Sequence, residues 1–299
     1  MKFQEFTEEV KEKMKELLDE SFVVDIQKIR KNNDVILHGL TIRDPGKNIV
    51  PTIYLESFFE YFQNGASLED VVDRISLVYK ESMPKDHVNM DFFRDFEKVK
   101  DRIVYRLVNA EKNEELLKDI PFIPFHDLAI CFCYAFWSPE LGDGMVLIHN
   151  NHMEEWGITH KQLIGLAEKN TPELFPVSFF GIHEVLRQLN LEIELEEGTE
   201  EQLYVLSNQQ RNYGAAVILY PETLYQVAEE LESDYYIIPS SVHEVLVLKK
   251  ERFEALKKDG VVLQNMIREI NEDQVSAEEV LSDSPYFYDR ESCRLTRIH

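Results

Sequence analysis

The chain has 299 residues, 44% of them hydrophobic, enough to bury a sizeable core in one large domain or two modest ones without staples. Its 56 acidic against 32 basic residues leave a formal net charge of -24, which argues against a positive groove for phosphates and so against direct nucleic-acid binding. No run of about 18 uninterrupted apolar residues occurs, and the opening MKFQEFTEEVKEKMKELLDE lacks the apolar region of a signal peptide. A soluble, unexported protein with no membrane partner is expected. The three cysteines, Cys131, Cys133 and Cys293, form no even framework, which fits a reducing, cytoplasmic setting.

Taken in chain order, Thr7 is positioned to cap a helix over residues 8 to 20, with Glu8 and Glu9 where the helix dipole favours them. The period then changes to two β-like runs around Lys31-Asn32-Asn33-Asp34, a hairpin turn. After Pro51 the run TIYLESFFEYFQNG reads as helical up to Gly65, and Ser67 caps a further helix with Val71, Val72, Ile75 and Val78 near helical spacing. From Leu128, strict alternation places Ile130, Phe132, Tyr134 and Phe136 on one face of a strand. Ala129, Cys131, Cys133 and Ala135 fall on the other. Gly142-Asp143-Gly144 turns this strand into MVLIH, and Asn150-Asn151 is expected to break the second strand. Thr159 and Gln162 form a capping box, with Ile158 and Leu163 as its staple, for a helix expected to end near Asn170, before Pro172.

Further on, LEIELE alternates with glutamates outward, and QLYVLSN is expected to pair with YGAAVILY around SNQQRN. Pro221 suits the first turn of a helix over PETLYQVAEEL, and DYYIIP and HEVLVL read as strands joined by Ser240-Ser241. Gly260 is expected to terminate a helix, and Ser276 with Glu279 repeats the capping box at the head of a helical tail. The order implies an α+β fold, a largely antiparallel sheet with helices packed on it, plus an N-terminal helical and hairpin region. Two regions are expected, residues 1–118 and 119–299.

The segments FHDLAICF, NNHMEEWGITHKQLIGLAEKNTPELFP, YVLSNQQRNYGAAVILYPETLYQVAEEL and YYIIPSSVHEVLVL, with the N-terminal VILHGLTI and the C-terminal EEVLSDSPYFYDRE, together resemble the bacterial family called domain of unknown function 5688. Residues 125 to 248 are more weakly similar to the YtpQ-like family. The resemblance implies a cytoplasmic protein of gut anaerobes associated with mobile elements, and it transfers no activity.

The candidate chemistry is sparse. Cys131 and Cys133 share a strand face, but no second pair accompanies them, so they read as small buried residues, and no metal or cofactor is expected. His149 and His152 flank two asparagines in HNNH, which is not the HExxH pattern of a zinc site. Ser240, Ser241, His243 and Glu244 are the most enzyme-like group, since a serine nucleophile needs a histidine base and an acid to orient it. Asp127 is a second candidate for that acid. No G-x-S-x-G elbow and no glycine-rich phosphate loop occurs.

Charge is the stronger cue. Residues 188 to 248 hold twelve acids against one base, Arg211, and on a strand Glu192, Glu194 and Glu196 would point the same way. The leading expectation is a non-catalytic binding module whose acidic surface docks on a basic, nucleic-acid-binding protein, in its sharp form a nucleic-acid mimic or inhibitor. One alternative is a small hydrolase with Ser240 or Ser241 as nucleophile and His243 as base. The other is a small-ligand sensor using a pocket under His152 and Trp156.

Overall fold

A computed structural model describes residues 1–83, 91–138, 142–182, 203–251 and 260–298. The fold is α+β with antiparallel sheets, as the element order implies. The chain forms two compact units, one of residues 1–92 with 137–144, the other of 93–136 with 145–299.

The first unit opens with helix α1 (Phe3–Leu17). It starts a full turn before the expected cap at Thr7, because Phe6, Val10 and Met14 make one buried stripe that already includes the first turn. Thr7 lies within that helix, and its hydroxyl donates to the Gln4 carbonyl at 2.9 Å. Strands β1 (Val23–Arg30) and β2 (Ile36–Arg43) pair antiparallel across the expected turn, where Asn33 and Asp34 take φ of 60° and 56°. The segment after Pro51 begins as a short strand, β3 (Thr52–Tyr54), rather than as helix. Its β-branched and aromatic residues pair with β2 and turn Ile53 into the core. Helix α2 (Glu56–Gln63) then ends at Gly65, whose φ of 104° few other residues adopt. Helix α3 (Leu68–Ser82) has the expected Ser67 cap, reciprocated by Asp70. Its Val71, Val72, Ile75 and Tyr79 close the core over α1 and the sheet residues Leu40 and Ile42.

From the start of the second unit a short helix α4 (Phe96–Val99) leads into β4 (Ile103–Asn109), α5 (Glu114–Leu117), β5 (Phe122–Phe125), β6 (Leu128–Ser138) and β7 (Gly142–Leu147), of which residues 137–138 and 142–144 belong to the first unit. Strand β6 is central, paired with β4, β5 and β7, as its alternation suggested. Asn150-Asn151 opens helix α6 (Asn150–Trp156) instead of a loop. Helix α7 (His160–Leu174) has the expected Thr159–Gln162 capping box but runs through Pro172. Side-chain bonds to β4 and to the turn before it hold that end helical. Asn170 donates to the Lys100 and Ile103 carbonyls, and Thr171 Oγ1 accepts from the Tyr105 N–H at 3.1 Å. They also satisfy the outer edge of β4, which a sheet would otherwise leave bare.

Next come β8 (Val177–Gly181) and β9 (Leu203–Asn208). The expected partner strand YGAAVILY is not a strand: Gly214–Leu219 is a 3-10 helix whose first five residues are buried. A short run apolar on every side carries no period that could separate the two states. Helix α8 (Thr223–Leu231) follows, then β10 (Tyr235–Ile238) and β11 (Val245–Lys249), paired as expected. Gly260 is the first described residue of helix α9 (Gly260–Gln274) rather than a terminator. Ser276 and Glu279 do hydrogen-bond, at 2.8 Å, but they close a turn with no helix behind it. Strands β12 (Tyr286–Asp289) and β13 (Arg294–Arg297) complete a six-stranded antiparallel sheet in the order β13-β12-β10-β11-β9-β8. The LEIELE segment, with Glu192, Glu194 and Glu196, lies outside the described residues.

Candidate functional site: the polar cluster around His243

Between β10 and β11 the chain runs antiparallel to residues 279–282. The Val242 N–H donates to the Glu279 carbonyl, and the Ser240 and Pro239 carbonyls accept from Leu281 and Ser282. This ladder fixes the serine turn and brings Glu279 beside His243, with Nε2 and Oε1 3.4 Å apart. On the other side of the ring, Nδ1 accepts the Tyr213 N–H at 3.3 Å. The neutral imidazole therefore carries its proton on Nε2, facing Glu279.

Ser241 is buried and its Oγ accepts the His243 N–H at 3.1 Å, the local bond that serine turns commonly use. Its hydroxyl side interacts with the Glu244 carboxyl. Burial pushes that carboxyl above the usual carboxylate range, against the pull of His243 and the Ser241 bond. Both ring nitrogens of His243 thus face partners other than a serine hydroxyl. Ser240 contributes its backbone carbonyl to the ladder.

Asp127 belongs to a different network. Its carboxylate accepts from the Ser282 hydroxyl at 2.6 Å and the Tyr286 hydroxyl at 2.5 Å, and lies 3.5 Å from Arg297 Nε. Tyr286 is fully buried, and burial beside Asp127 drives its hydroxyl far above the ordinary tyrosine range, so it stays protonated and donates. Asp127 is an anchor for the β12–β13 end of the chain.

His152 and Trp156 share an aromatic group on α6. The indole N–H donates to the Phe93 carbonyl at 3.0 Å, and the rings of Phe93, Phe96 and His152 lie within 6.1 Å of it. His152 Nδ1 accepts the His149 N–H at 3.0 Å, and burial lowers its basicity. These bonds cap the helix and pack its face. Cys131 and Cys133 are buried free thiols, and among the described residues no three His, Cys, Asp or Glu side chains converge as a metal site.

The residues that organise the cluster without having been expected there are Tyr213, Glu279 and Arg106. Arg106 had a visible sign, a lone charge in the apolar run IVYRLVN. Its guanidinium carbon lies 4.7 Å from the Tyr213 ring centroid, and Tyr213 in turn lies 5.5 Å from the His243 ring.

Because burial favours the protonated form of Glu244, its folded-state affinity for a proton exceeds that of the unfolded chain, and ionising it destabilises the fold. Glu244→Gln is expected to raise the urea midpoint near neutral pH. The gain should vanish as acid protonates the wild-type carboxyl in both states, through and below about pH 4. A pH-independent difference between the two proteins would contradict this assignment.

No curated protein and no solved structure matches the chain. The model described as a family of unknown function, DUF5688, matches residues 3–290, so the chain belongs to that family.

Proposed function

We propose that this protein is a cytoplasmic, non-catalytic binding module whose acid-rich segment docks on a basic protein, as a nucleic-acid mimic or inhibitor would. The observation that carries the reading is the outer face of α8. Glu222, Glu230 and Glu232, on α8 and at its two ends, are exposed with no basic partner among the described residues, and Tyr225 of the same helix is exposed as well. Glu229 on the same helix is held by Arg290 at 2.7 Å. A guanidinium can stack on a tyrosine while pairing with flanking carboxylates, which suits an arginine-bearing partner. The charge excess of residues 188 to 248 supports the same surface. No helix of the described residues is long and apolar enough to cross a membrane.

The test is capture of host proteins on the wild-type chain and on E222Q/E230Q/E232Q at low and high salt. The triple change loses a favourable charge at the helix start, Glu222, and unfavourable ones at its end, so stability should be nearly unchanged. A basic partner retained at low salt by the wild type and lost from the folded variant is expected. An acidic partner, or equal retention by both proteins, contradicts the reading.

A further inference from the structure

Arg106 packs on Tyr213, but neither the cluster around His243 nor the docking surface uses its charge. It stands in β4 opposite Cys131 of β6. Protein surrounds its guanidinium on nearly every side and its Nε is sealed without a hydrogen-bond partner, yet the residue keeps some accessible surface. The charged head is the enclosed part of this half-buried residue.

Among the described residues no carboxylate pairs with it. Its neighbours are Tyr213, which it meets through the ring and through a side-chain hydrogen bond, and the thiols of Cys131 and Cys133. The thiols are not counter-ions, because burial pushes Cys131 up to about 12 and raises Cys133 as well, even with the cation nearby. A guanidinium does not give up its proton in proteins, so the site keeps one uncompensated positive charge. Buried charges are ordinarily paired, and one that is not is poised for a partner from outside the chain.

We propose that Arg106 anchors a binding site for a small monocarboxylate with an apolar body. The carboxylate takes the two-pronged geometry that guanidinium offers, and the body lies among Tyr213 and the apolar residues of β4 and β6. A single buried cation balances a single negative charge, whereas a dianion such as phosphate would bring a second one with nothing to offset it. The wall is pre-shaped. Tyr213 sits at a φ of 49°, held by its N–H bond to His243, and Asn208 clamps the loop before it through two bonds to Asn212. A site held this firmly loses little freedom when it binds.

This inference stands apart from the docking surface, since α8 takes no part in it. The full chain is titrated with benzoate, with its neutral analogue benzamide, and with inorganic phosphate, at ionic strength held constant with sodium chloride, and thermal unfolding is followed. Benzoate should raise the melting temperature saturably, with a midpoint at least about tenfold below that of benzamide, and phosphate should give no saturable shift. In Arg106→Gln the benzoate midpoint should move to that of benzamide. Should that variant not fold, Arg106→Lys keeps the charge but not the fork, and its midpoint should weaken about tenfold. A crystal of the wild-type chain grown with benzoate should place the carboxylate on the guanidinium. Equal midpoints for benzoate and benzamide, an unchanged midpoint in the folded variant, tighter saturation by phosphate, or benzoate seated elsewhere would each overturn the proposal.

Discussion

Asp127→Ala is expected to destabilise the second unit by about 4 kcal/mol, one of the two largest effects of any single change considered. The carboxylate accepts from Ser282 and Tyr286 and lies near Arg297, and hydrogen bonds to a charged group are worth about 1.5 to 3 kcal/mol each. Its loss leaves the hydroxyl of the fully buried Tyr286 without its acceptor and removes the carboxylate beside Arg297, which costs more than the bonds themselves contribute. Tyr286→Phe should cost less, because Asp127 keeps Ser282 and Arg297. Urea unfolding of both single variants and the double variant should give a coupling of about 1 to 3 kcal/mol. Were Asp127 the orienting acid of a hydrolase, its alanine variant would fold normally and lose only activity.

Gly214→Ala should destabilise by about 3 kcal/mol. A Cβ there would stand 2.0 Å from Ser207 Oγ, 2.5 Å from the His243 carbonyl and 2.7 Å from the Asn208 nitrogen. Two of those three are backbone atoms, one in strand β9 and one in the turn before β11, so they cannot swing aside as a side chain can, and the Ser207 bond to the His243 carbonyl at 2.7 Å would be lost as well. Gly39→Ala makes the useful comparison. Its new Cβ would meet Thr52 Cγ2 at 2.4 Å and Ile29 Cδ1 at 2.7 Å, both ends of side chains that can rotate. Equal denaturation midpoints for the two variants would show that the backbone around Gly214 yields as easily as a side chain.

Local chemistry was legible wherever a motif has one physical solution. The Ser67 and Thr159 caps, the turn at residues 31–34 and the alternation of β6 all stand as read. Where a second, distant partner decides the outcome, the same reasoning failed. Pro172 should have ended α7, but Asn170 and Thr171 are tied to β4 some 70 residues earlier in the chain, and the helix continues. The Ser276–Glu279 pair has the chemistry of a capping box, yet the backbone that follows pairs with the serine turn at 239–242 instead of coiling. The candidate triad met the same difficulty. Ser241, His243 and Asp127 are present as residue types, but which atom faces which depends on Tyr213, Glu279, Ser282 and Tyr286, and no local spacing announces those.

The proposed recruitment of a basic partner by the acidic surface is tested most directly by the rate of that encounter. Once the partner is captured, its association rate constant is measured from low to high salt against the wild-type chain and E222Q/E230Q/E232Q. Attraction between unlike surfaces accelerates association about tenfold or more at low salt and is screened as salt rises. A steep salt dependence for the wild type and a slower, flatter one for the folded variant is the predicted result. A rate insensitive to salt, or the same slope for both proteins, would contradict the central claim.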